Sequence, residues 1–138
     1  MGNTLKFSSS VCTSIKQSQR LLDLGLKPET ADMYHTTFYR DNVGYEIIQV
    51  RNEKIPLLSQ EIPAWSLHRL KCLLPNKIPY GSGYLTTEII NNVCLMFITD
   101  TSEQRVISFI HENLYESLIK CIKWLISNGY FDKEYLKL

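Results

Sequence analysis

Ile62-Pro63-Ala64-Trp65-Ser66-Leu67-His68-Arg69-Leu70-Lys71-Cys72-Leu73-Leu74-Pro75 reads as a short amphipathic helix fenced by a proline at each end. Pro63 suits the entry or first turn, Ser66 can cap, and Pro75 cannot continue the intrahelical ladder. Leu67, Leu70, Leu73 and Leu74 then form one apolar stripe. Fully burying each contributes roughly 1.5 to 3 kcal/mol, so the stripe decides how this short helix packs.

Upstream, the pattern predicts a helix over 14–24, capped by Thr13 or Ser14 and stopped by Gly25. Ile15, Leu21, Leu22 and Leu24 share one arc, opposite Lys16, Gln19, Arg20 and Asp23. After a turn at Pro28, Glu29 and Thr30, segments 33–39 and 45–50 are rich in aromatic and β-branched residues. They flank Asp41, Asn42 and Gly44, which predicts a β-hairpin. Segment 51–61 reads as a loop.

Downstream, Pro79, Gly81 and Gly83 mark a connection, and 84–90 and 93–98 form a second predicted hairpin around Asn91-Asn92. Val93-Cys94-Leu95-Met96-Phe97-Ile98 is apolar at both parities, the pattern of a central strand covered on both faces. A polar turn at 100–104 leads to a third strand over 105–111. The last helix starts with Asn113 as N-cap and Glu116 as a capping-box-like partner, and ends at Gly129. Leu114, Leu118, Ile119, Ile122, Leu125 and Ile126 form its apolar arc, and Trp124 falls beside the polar side. The aromatic tail 130–136 is expected to dock. The prediction is an α+β fold in one domain, 1–138, with residues 1–12 flexible. Its hairpins form an antiparallel sheet with three main helices, the C-terminal one packed on one sheet face.

At 138 residues the chain is long enough for one core, and 44% hydrophobic and 21% charged residues favour folding over disorder. A net charge of +1 supplies no global field for nucleic acid, an anionic membrane or an acidic substrate. The apolar runs are too short to span a bilayer and the polar start lacks a secretory apolar region, which predicts a soluble cytoplasmic protein without membrane contact. Met1-Gly2 fits a myristoylation start only until Lys6, where Ser or Thr is required. Cys12, Cys72, Cys94 and Cys121 stand at long spacings and read as free thiols.

Candidate chemistry is sparse. His68 and Cys72, four apart on one helix, could meet at one metal ion, but two ligands do not make a structural site. A cysteine nucleophile needs a histidine that the fold brings to it, and no spacing selects one. Gly81-Ser82-Gly83 lacks the lysine and the strand-to-helix context of a phosphate loop. Glu29, Asp32, Asp132 and Glu134 read as solvated charges. No catalytic, cofactor or metal residue is assigned, and a non-enzymatic protein is expected.

Two binding readings remain. Trp65, beside Pro63, and Trp124, breaking a polar helix face, are candidate anchors for a protein partner or for self-association. The alternative is a nucleic-acid-associated regulator using Lys16, Arg20, Arg69 and Lys71.

Gln17-Ser18-Gln19-Arg20-Leu21-Leu22-Asp23-Leu24-Gly25-Leu26, Pro28-Glu29-Thr30-Ala31-Asp32-Met33-Tyr34, Ile62-Pro63-Ala64-Trp65-Ser66-Leu67 and Trp124-Leu125-Ile126 together resemble an uncharacterised family of short proteins encoded in bacterial prophages and mobile elements. The resemblance spans most of the chain. It implies a small intracellular accessory protein and carries no activity, cofactor or catalytic residue with it.

Overall fold

In chain order the elements are α1 (Ile15–Asp23), a 3-10 turn (Pro28–Thr30), β1 (Met33–Arg40), β2 (Val43–Val50), β3 (Ile62–Ala64), α2 (Leu67–Leu73), β4 (Ile78–Tyr80), β5 (Gly83–Ile90), β6 (Val93–Ile98), β7 (Val106–Ile110), α3 (Leu114–Ser127) and a second 3-10 turn (Lys133–Tyr135). This computed structural model describes residues 10–80, 83–90, 93–98, 106–110 and 113–137. The lead 1–9 and the expected turns at Gly81-Ser82, Asn91-Asn92 and 100–104 lie outside the described residues.

The α+β class holds, and the strands divide into two antiparallel sheets rather than one. One has the order β2-β1-β3 and the other β4-β5-β6-β7. β6, the expected central strand, lies between β5 and β7. α3 runs against β6 and β7 and also touches α1 and α2.

Ser14 caps α1 in a capping box: its hydroxyl accepts from Gln17 N at 3.1 Å while Gln17 Oε1 accepts from Ser14 N at 2.9 Å. Gly25 ends it at φ +106°, a value L side chains rarely adopt. Thr13, the other candidate cap, is buried and does different work. It links the entry of α1 to Trp65: Thr13 N donates to Trp65 O at 2.9 Å, and Trp65 N donates to Thr13 Oγ1 at 3.1 Å.

The expected Pro-bounded helix is corrected at its start. Residues 62–64 are strand β3, with Ile62 opposite His35 and Pro63 opposite Tyr34. The cause is local. Pro63 biases Ile62 away from the helical region and donates no hydrogen bond, which an edge strand tolerates. α2 begins at Leu67 only after the Ser66 hydroxyl accepts from Arg69 N at 3.1 Å, and it stops before Pro75 as predicted. Leu70 and Leu73 are buried, with Leu67 and Leu74 packed against them.

The core centres on α3, whose Tyr115, Leu118, Ile119, Cys121, Ile122 and Leu125 are buried with Leu21, Leu26 and Trp65. The aromatic tail docks as expected. Lys27 N donates to Tyr135 O at 2.8 Å, Lys137 N donates to Gly25 O at 2.7 Å, and Phe131 is buried edge-on to Tyr135. The described end of the lead is also tied down, because the Tyr115 hydroxyl donates to Ser10 O at 2.8 Å and Cys12 is buried.

Candidate interaction surface

β1 and β2 form a hairpin that leaves the body of the protein. Asp41 and Asn42 adopt φ of 51° and 63°, and Arg40 pairs with Val43, which defines a two-residue turn with both central residues left-handed. Asp and Asn tolerate that region better than other non-glycine residues. The ladder runs without a bulge from Met33↔Val50 to Arg40↔Val43. β3 pairs only with residues 33–35, so 36–40 and 43–47 are paired with each other alone and project about 16 Å beyond β3. The root is fixed by Arg51, whose backbone N donates to Asp32 O at 2.9 Å and whose NH1 donates to the Glu29 and Ala31 carbonyls at 2.8 and 3.2 Å.

This arm is apolar on both faces and exposed on both. Alternation and register place Phe38, Val43, Tyr45 and Ile47 on one face and Tyr39, Ile48 and Val50 on the other. Tyr39 is 72% exposed, Val50 77%, Phe38 53% and Tyr45 51%. Phe38 and Tyr45 are direct cross-strand partners on one face, whereas Tyr39 stands exposed on the other. Gly44 lets Tyr39 lie across the strand: a Cβ there would come within 3.2 Å of the Tyr39 ring. β2 is an edge strand of eight residues, and it contains neither Pro nor Lys, the residues that usually blunt such an edge.

The expected anchors lie elsewhere, and one is corrected. Trp65 is 0% exposed, and its indole Nε1 donates to Thr30 Oγ1 at 2.9 Å; buried and satisfied, it is a core residue rather than a surface contact. Trp124 is half-buried between Phe109 and Tyr130, with ring centroids 6.4 and 5.7 Å away. The four basic candidates divide between two helices. Arg20 is ion-paired with Glu116 at 2.6 Å and Arg69 with Glu53 at 2.7 Å, whereas Lys16 and Lys71 are exposed. Glu116 also accepts from Gln17 Nε2 at 3.0 Å, so it ties α3 to α1.

The fold brings two cysteine–histidine pairs together. Cys12 Sγ stands 4.0 Å from His35 Nε2, but that nitrogen is 2.8 Å from the Thr13 carbonyl, which only accepts. Nε2 therefore carries its proton and cannot take one from the thiol. Burial, and then the Asp32 carboxylate, push the Cys12 thiol up, against thiolate formation. On α2, His68 Nε2 and Cys72 Sγ meet at 3.5 Å as their spacing predicts. Among the described residues no group of three or more His, Cys, Asp or Glu side chains could hold a metal ion.

An open depression of about 790 Å³ near the root of the arm is lined by Lys27, Arg51 and Arg69 together with Glu29, Glu53 and Glu134, so its opposed charges offset one another. Among the described residues no helix is long and apolar enough to cross a membrane. No family model matches the chain, and neither the curated proteins nor the solved structures contain a match.

Sequence reasoning predicted the hairpin and missed its exposure. The signal was present in the apolar residues at both parities of 43–50. A period-two pattern with both faces apolar demands cover on both sides, and among the described residues none supplies it.

Proposed function

We propose that this chain is a non-enzymatic protein-interaction protein that presents the β1–β2 arm to a protein partner. The observation that carries the reading is the arm itself. A two-stranded hairpin is at best marginally stable alone, and beyond its support this one exposes Phe38, Val43 and Tyr45 on one face and Tyr39 on the other. Apolar surface held in that state gains most from a partner that covers it.

At Cys12 the surroundings support a binding role, because His35 is committed to Thr13 and offers that thiol no base. The nucleic-acid alternative draws less support, since Arg20 and Arg69 already hold carboxylates. The resemblance to short prophage and mobile-element proteins favours an accessory role inside the cytoplasm of such a host.

The test is the triple substitution Phe38→Ser, Tyr39→Ser, Tyr45→Ser, compared with the parent for partner recovery from the native cell and for mass in solution. Loss of both associations with an unchanged helical circular-dichroism signal supports the reading. Unchanged recovery and mass overturn it.

A further inference from the structure

Resting on the arm as the contact surface, we propose that its partner is a second copy of this chain, joined edge to edge through β2 with Ile47 opposite Ile47 of the second copy. Two three-stranded sheets would become one of six strands.

The backbone polarity of β2 follows from the turn. Residues closing a two-residue loop exchange their N–H and C=O groups, so Val43 bonds toward Arg40, and by alternation Tyr45, Ile47 and Gln49 also bond toward β1. Gly44, Glu46, Ile48 and Val50 therefore aim their backbone groups at the open edge. Among the described residues, β1 has an open edge only over 36–40, whereas that of β2 runs its full length.

A continuous antiparallel sheet related by a two-fold axis keeps each face on its own side, so opposed residues share parity and the register is centred on a residue. Only centres at Glu46 or Ile47 pair seven residues of β2. A centre at Glu46 sets two carboxylates directly opposite each other, which is destabilising. A centre at Ile47 sets Glu46 against Ile48, Gly44 against Val50 and Tyr45 against Gln49, and moves the two Glu46 side chains to a diagonal roughly 7 Å apart. Glu46–Ile48 and Gly44–Val50 become the hydrogen-bonded pairs. Each occurs twice by symmetry, giving about eight backbone hydrogen bonds.

The side chains match this seam. On one face Ile47 meets its equivalent with Tyr45 diagonal to it, and on the other the two Ile48 side chains are diagonal neighbours, so apolar residues flank the new hydrogen bonds on both sides. One strand supplies both halves of the contact, with a single charge placed off the centre. That self-complementarity selects a second copy over an unrelated chain.

The experiment is sedimentation of the parent, of Ile47→Lys, of Ile47→Glu and of their equimolar mixture. The expected result is a dimeric parent, single variants whose dimer dissociation constant rises at least about 100-fold because like charges face each other, and restoration of the dimer on mixing. Restoration also shows that both variants are folded. A parent that stays dimeric with either charge in place, or variants that remain monomeric on mixing, overturns the Ile47 register. A monomeric parent whose arm still recovers a different protein overturns self-pairing while leaving the arm as the contact surface. If arm substitutions change no association at all, the underlying reading falls instead.

Discussion

Asp32 and Ser66 share two hydrogen bonds across 34 positions of sequence: Oδ1 accepts from Ser66 N at 2.9 Å and Oδ2 from Ser66 Oγ at 2.5 Å. The same hydroxyl accepts from Arg69 N, so one carboxylate orients the residue that caps α2. Asp32 also accepts Arg51 N through its carbonyl at the root of the arm. It thus joins the start of β1, the end of β2 and the start of α2.

Asp32→Ala removes two acceptors and leaves Ser66 to cap α2 unaided. Hydrogen bonds to charged groups contribute about 1.5 to 3 kcal/mol each and are not additive, so the expected loss is about 3 kcal/mol. In a chain of this size, that lowers Tm by roughly 10 °C. Asp32→Asn keeps one acceptor and should lose about half as much. Thermal unfolding of both variants checks the ordering.

Tyr115 sets an alkaline limit. Burial, followed by the neighbouring Cys12 and Asp32, pushes its phenol up to about 12 from an ordinary 10.0. Between these values the unfolded chain gives up the proton and the folded chain keeps it, so the folded state binds more protons and stability falls as pH rises. The contribution is complete below about pH 10 and lost through about pH 12, with a slope approaching about 1.4 kcal/mol per pH unit. Tyr115→Phe should be less stable by about 1 kcal/mol at neutral pH, having lost the bond to Ser10 O, and should show a flatter decline above pH 10. Denaturant titrations at several pH values read both effects.

Elements whose boundaries depend on local chemistry were legible in the sequence. Ser14, Gly25, Asn113 and Gly129 bound α1 and α3, with Gly25 and Gly129 both at positive φ, because caps and left-handed glycines act over a few residues. Long-range relations were not legible. Nothing in Ile62-Pro63-Ala64 specifies pairing with β1, and Trp65 looks the same in sequence whether it faces Thr30 or solvent. β2 shares with β6 apolar residues at both parities, yet β6 has neighbours on both sides and β2 has one. Periodicity states what a strand needs, and only topology decides whether the chain provides it.

The thiols differ in access. Cys72 is exposed on α2, whereas Cys12 is 3% exposed with its thiol pushed up, and Cys121 is 0% exposed. Alkylation of the folded protein should therefore modify Cys72 at least tenfold faster than Cys12 or Cys121, since the thiolate is the reactive form and needs an approach path. Peptide mapping after a timed iodoacetamide pulse distinguishes the sites. Comparable labelling of Cys12 would mean that its helix entry opens readily, or that His35 activates it despite its bond to Thr13.

The arm should open separately from the body, because residues 36–40 and 43–47 have support on one side only. Asn42→Val tests this. A β-branched side chain at φ 63° costs on the order of 1 to 3 kcal/mol, and the strain falls on a turn that the core does not hold. Amides of β1 and β2 beyond residue 35 should lose most of their exchange protection, while those of α3, where Leu118, Ile122 and Leu125 are buried, keep theirs. Asn42→Gly, which suits the same turn, should preserve protection in the arm. Whatever association the arm supports should weaken in the valine variant and survive in the glycine variant, because only the former pays the ordering of the hairpin out of its binding energy. Hydrogen exchange read alongside solution mass separates the two: equal protection in both variants would mean that the turn does not control the arm, and a valine variant with a frayed arm and undiminished association would place the contact on another surface.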